Sequence, residues 1–152
     1  MSLGHQFLFE PGVWLGEGTI QLNMVKDELK FHSKWHIGYL DEYGTIDAVQ
    51  NIEILGLGET MHNQFLLSEI SNQQFDIELE NQSMGKVVGK GIISPKTIAW
   101  EFRLNDLGFE GMEFYELQEN NSYKMRAEYS TSDDFRTLIY GRIWKKLKEE
   151  KS

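Results

Sequence analysis

Cysteine is absent from the 152 residues, which excludes disulfide scaffolds, thiolate metal sites and thiol nucleophiles together. No run approaches the ~20 apolar residues of a membrane helix. The opening Met1-Ser2-Leu3-Gly4-His5-Gln6 has no basic segment followed by an apolar stretch, so no signal peptide is visible. Basic residues are the minority: 15 Lys and Arg stand against 24 Asp and Glu, a formal charge of −9. A nucleic-acid backbone would be repelled unless a basic patch were segregated. The only basic cluster, Lys145, Lys146, Lys148 and Lys151, is broken by Glu149 and Glu150 and reads as a solvated tail. There is no Gly-rich phosphate loop ahead of a helix and no Gly-x-Ser-x-Gly elbow. A soluble cytoplasmic protein with neither nucleic-acid nor membrane partners is expected.

What is present is a folding composition, 40% apolar and 12% aromatic, in a length suited to one domain over 1–152. The ends, 1–10 and 147–152, are expected to be flexible or peripheral. Alternation and β-branched or aromatic enrichment predict ten strands, near 12–24, 29–40, 44–56, 61–70, 74–81, 85–93, 97–104, 109–117, 122–130 and 135–146. Turn chemistry separates them, as in Asp41-Glu42-Tyr43-Gly44, Ser94-Pro95-Lys96, Asn105-Asp106 and Ser132-Asp133-Asp134. Connections this short join antiparallel neighbours in a meander, and closing the meander into a barrel hides its edges. The fold class is therefore all-β, one closed antiparallel up-and-down barrel of about ten strands. From Phe135 the residues Leu138, Ile139, Ile143 and Leu147 also fit a helical face, whereas Gly141 and the β-formers Thr137, Ile139, Tyr140 and Trp144 favour a strand.

If Trp14 points inward, period two brings Gly16, Gly18, Ile20, Leu22 and Met24 with it. On the second strand Leu29, Phe31, Trp35, Ile37 and Tyr39 fall inside, and His32, Lys34 and His36 outside. Trp100, Phe102 and Leu104 oppose Glu101 and Arg103, while Tyr123, Met125, Ala127 and Tyr129 oppose Lys124 and Arg126. For the eighth strand two phases compete, one turning Glu113 and Tyr115 inward and one turning Met112 and Phe114 inward. A ten-stranded barrel is wider than the eight-stranded size that side chains nearly fill, so an aromatic-lined cavity is expected unless the aromatics themselves close it.

Gly12-Val13-Trp14-Leu15-Gly16-Glu17-Gly18 at the head of this meander resembles the Gly-x-Trp opening of calycin barrels, which include lipocalins, fatty-acid-binding proteins and nitrobindin-like haem proteins. The resemblance implies a barrel that holds a small ligand and a basic side chain from the last strand over the Trp. Arg142, in Tyr140-Gly141-Arg142-Ile143-Trp144, is the candidate for a cation–π contact on Trp14. Fatty-acid-binding proteins hold a carboxylate with Arg-x-Tyr on the last strand. Here the types are reversed, as Tyr140 and Arg142, and the two-helix lid after the first strand is missing. Nitrobindin-like proteins match best in length, strand count and absence of a lid, yet no histidine follows His62 to carry over their haem ligand; Tyr140 could replace it in principle, since a phenolate does ligate haem iron. No cofactor is expected.

Nor is a metal. His32 and His36 share a face but lie about 13 Å apart along a strand, and all four histidines, His5 and His62 included, read as solvated. The leading expectation is a binding module for a small apolar or amphipathic ligand, with Trp35, Trp100, Met125 and Tyr129 lining the interior, Trp14 at one end, and Tyr140 and Arg142 near the head group. The alternatives are an enzyme using the barrel as a reaction chamber, hinted at by Glu113 with Tyr115, and a solidly packed scaffold. Inward Trp14 and Arg142 would leave Val13, Leu15, Ile139 and Ile143 as an outer aliphatic patch, whose simplest cover is a two-fold homodimer.

Overall fold

The computed structural model of the protein describes residues 4–23, 26–103, 108–131 and 136–147. The expectations for Met24, Leu104, Phe135, Lys148 and Lys151, and for the turns at Asn105-Asp106 and Ser132-Asp133-Asp134, lie outside the described residues. In chain order the strands are β1 (Gly12–Leu22), β2 (Leu29–Ile37), β3 (Ile46–Ile54), β4 (Glu59–Ser68) and β5 (Gln74–Asn81), then β6 (Gly85–Ser94), β7 (Thr97–Phe102), β8 (Glu110–Leu117), β9 (Tyr123–Ser130) and β10 (Arg136–Lys145). Each pairs antiparallel with the next, and β1 pairs with β10 to close the barrel. The segment with two readings is a strand over Arg136–Lys145: its β-branched and aromatic residues complete the ring of hydrogen bonds, which no helix at that position could do.

Closure requires β1 and β10 to approach closely. Gly18 faces Gly141 in their register. A Cβ on Gly18 would stand 2.1 Å from the Tyr140 carbonyl oxygen, and one on Gly141 2.3 Å from that of Glu17. The Gly-x-Gly at the head of the chain thus lets the first strand coil against the last.

This pairing also corrects the phase of the last strand. Ile143 is buried and Ile139 faces the interior, while Tyr140 and Arg142 stand outside at the β10 positions between them. Of the expected patch only Val13 and Leu15 remain on the outer face, so the aliphatic surface that suggested a dimer does not form. Tyr39, placed inside by extending period two, lies past the end of β2 and is 81% exposed. Alternation has no force once the ladder ends.

The two ends of the barrel are built differently. At the end where β1 begins, the segment before the first strand turns in and fills the interior. Phe7 and Leu8 are fully buried and His5 nearly so, which corrects the peripheral reading for these three residues and the solvated reading of His5. Phe7 sits among Trp14, Trp35, Tyr115 and Tyr123, with ring centroids 4.9 to 5.6 Å away. His5 is held at both ring nitrogens, by the Tyr123 hydroxyl and by the Ser94 carbonyl, each at 2.7 Å. Sequence pattern missed this segment because a plug has neither period two nor period 3.6.

Candidate functional site

Among the described residues the opposite end is open. A cavity of about 680 Å³ enters the barrel between the ends of β1, β3, β5 and β9 and the starts of β2, β4, β8 and β10. That is room for a drug-sized molecule. Apolar side chains make most of its wall: Ile20 and Phe31, Ile52 and Phe65 along the strands, Leu79 and Ile139 beside them. Phe109 and Met84 stand toward the mouth, from the residues flanking β8 and β6.

Two polar clusters interrupt this lining. On β8, Glu113 and Tyr115 both face inward, which decides the phase that alternation left open. The Tyr115 hydroxyl donates to Glu113 Oε1 at 2.6 Å, and the Tyr129 hydroxyl of β9 donates to Oε2. The reach of Tyr129 has a local cause. It lies opposite Gly111, where a Cβ would stand 2.2 Å from its ring, so glycine lets the phenol lie across β8 toward Glu113 two residues on. Phe109 stacks on the same ring at 5.4 Å. Burial pushes the Glu113 carboxyl above its ordinary value of 4.5, opposed by hydrogen bonds from Tyr115 and Tyr129 that favour the anion. The Trp100 indole N–H, opposite Glu113 in the register, also favours the anion but closes no hydrogen bond of normal geometry. Burial, and then the neighbouring Glu113 charge, raise Tyr115 and Tyr129 well above the ordinary phenol range. Both stay protonated donors at neutral pH.

The second cluster is a ladder of carboxamides across β3, β4 and β5. Asn81 Nδ2 donates to Asn63 Oδ1 and Asn63 Nδ2 to Gln50 Oε1, each at 3.0 Å. Its direction is set by the backbone, because the Met84 N–H donates to Asn81 Oδ1 at 2.8 Å. Once that oxygen is the acceptor, every amide along the chain is oriented, and the ladder ends on the Gln50 NH₂. In a ring of ten strands β4 and β9 are five steps apart either way, so Asn63 and Tyr129 occupy opposite walls.

The seven residues expected from sequence separate accordingly. Met125 and Tyr129 line the cavity. Trp14, Trp35 and Trp100 are buried in the packed part of the barrel and are absent from the cavity wall. Tyr140 and Arg142 are outside: Arg142 pairs with Glu17 at 3.1 Å, and its guanidinium lies 4.8 Å from the Trp144 ring centre, not over Trp14. The resemblance that suggested a basic cover for Trp14 does not carry to this residue; Phe7 and Tyr123 pack edge-on against Trp14 instead. Gln50, Asn63 and Asn81 were missed, although each is a lone carboxamide on an otherwise apolar inward face of successive strands.

His32 and His36 are exposed, His62 bonds Asn51 on the outer face at 2.7 Å, and among the described residues no cluster of metal-ligating side chains occurs. No helix among the described residues is long and apolar enough to cross a membrane.

No family model matches the chain, and no curated protein matches it. Solved structures do. An S-type phycobiliprotein lyase, CPES from Guillardia theta, superposes with a TM-score of 0.67 at 9% identity, covering 91% of this chain and 89% of that one. Rv2717c from M. tuberculosis gives a TM-score of 0.69 at 10% identity, covering 92% and 93%. At such identities the likeness is one of fold alone.

Proposed function

We propose that the protein binds a small amphipathic molecule inside the barrel. One observation carries this reading: the apolar cavity of about 680 Å³, open at one end and sealed at the other by the Phe7 plug. A barrel evolved only as a scaffold gains nothing from an unfilled half, since void lining forfeits packing contacts. The reading rests on the cavity and not on the fold neighbours, because one fold serves binding and catalysis alike. Titration with the neutral fluorophore N-phenyl-1-naphthylamine tests it. Saturable one-to-one binding is expected, and Ile139→Trp, which places an indole in the cavity, should weaken it at least about 10-fold while the barrel stays folded. Equal binding by the variant, or no binding by the wild type, defeats the reading.

A second reading has support in Glu113. A buried carboxyl whose proton is held more tightly than usual, bonded to two phenols at the end of an accessible cavity, is the arrangement of a general acid or base. Binding and proton exchange would then use the same pocket.

A further inference from the structure

Apart from the hydroxyls of Ser83, Ser130, Thr131 and Thr137, the polar side chains of the cavity wall are of one kind on each side. Among the described residues of its wall there is no Lys, Arg or His; the ionisable side chains are Glu113 and Tyr129. A ligand carboxylate would therefore enter a largely apolar space with no countercharge among the described residues and would face an acidic group. A ligand cation meets the opposite situation. Glu113 offers two oxygens, each already taking one phenolic hydrogen bond and each with a further lone pair to give. The opposite wall presents the reverse polarity, since the amide ladder ends on the Gln50 NH₂, a donor seeking an acceptor.

Resting on the reading above, we propose that the cavity selects a basic amphipathic molecule, with a protonatable nitrogen at Glu113 and a carbonyl-type oxygen at Gln50. The apolar body between them fills the space lined by Ile20, Phe31 and Leu79. A neutral base that enters takes its proton from Glu113: the carboxyl O–H breaks, the N–H forms, and an ammonium–carboxylate pair remains. A base that enters already charged displaces the same proton to solvent. Tyr115 and Tyr129 donate to the carboxylate in either case, and with the Trp100 indole they are the polar groups that face it.

Three dansyl amides sharing one octyl chain and ending in an ammonium, a methyl or a carboxylate test the proposal by fluorescence titration at neutral pH. The ammonium probe should bind at least about 10-fold more tightly than the methyl probe, and the carboxylate probe more weakly than either. Glu113→Gln should collapse the ammonium preference toward unity. Should that variant fail to fold, the wild type alone decides, because the ratio of ammonium to methyl affinity should rise with pH as Glu113 ionises. A methyl probe that binds while the ammonium probe gains nothing overturns the proposal and leaves the binding reading standing. No binding by any of the three defeats the binding reading itself.

Discussion

The two ends of this barrel share strands, register and closure, yet one is packed and the other is hollow. At the packed end four aromatic rings converge on Phe7, a residue contributed from outside the sheet. At the hollow end the inward positions carry aliphatic and aromatic side chains, carboxamides and Glu113, and among the described residues no segment folds in to fill the remaining space. Strand number alone leaves a ten-stranded barrel wide enough for a cavity along its length. The plug decides which half keeps it. Stability should therefore concentrate where Phe7 packs, and binding where it does not reach.

The sharpest way to break that division is Trp14→Ala. Trp14 is 1% exposed at the packed end, and truncating a buried Trp costs about 3 to 5 kcal/mol against the ~5 to 15 kcal/mol that holds a domain folded. A large fall in the urea midpoint is expected; an unchanged midpoint would remove Trp14 from the core.

Glu113→Gln should have the next largest effect, and one that depends on pH. A carboxyl whose folded pKa is raised contributes stability that is fully present below its unfolded value and lost as pH rises through the folded value. Wild type should thus weaken from about pH 4.5 upward relative to the variant, by about 1.4 kcal/mol for each unit of the raise. Parallel stability profiles from pH 4 to 9 would show that Glu113 is not desolvated.

At the hollow end, Met125 is only partly buried and borders open space, so Met125→Ala should cost less than the about 2 to 5 kcal/mol of a fully buried Met→Ala. A loss equal to that of Trp14→Ala would mean that the cavity closes in solution. Smallest of all is Arg142→Ala. Its pair with Glu17 is exposed and screened, so about 0 to 1 kcal/mol is expected, with no change in affinity for N-phenyl-1-naphthylamine. A loss of binding would return Arg142 to the interior.

The closed all-β meander was legible because it depends on local signals. Short turns, alternation and a glycine pair at the closing strands act over a few residues, and each strand carried its own evidence. The polar site was legible only in part. Glu113 and Tyr115 stood two apart on one strand, so their shared face could be read but not its direction, since Met112 and Phe114 offered an equally apolar alternative. For Tyr140 and Arg142 the phase was taken from a family resemblance, and the register of β10 on β1 reversed it.

By itself, then, the sequence determined the strands, their order and the glycines that allow the ring to close, because these follow from propensity and period. Only the tertiary structure decided what fills the ring. Burial of His5, Phe7 and Leu8 depends on a non-periodic segment finding space between strands distant in the chain. The facing of Glu113 toward Tyr129, and of Gln50 toward Asn63, depends on cross-strand register, and register follows from mutual packing rather than from any one strand's residues.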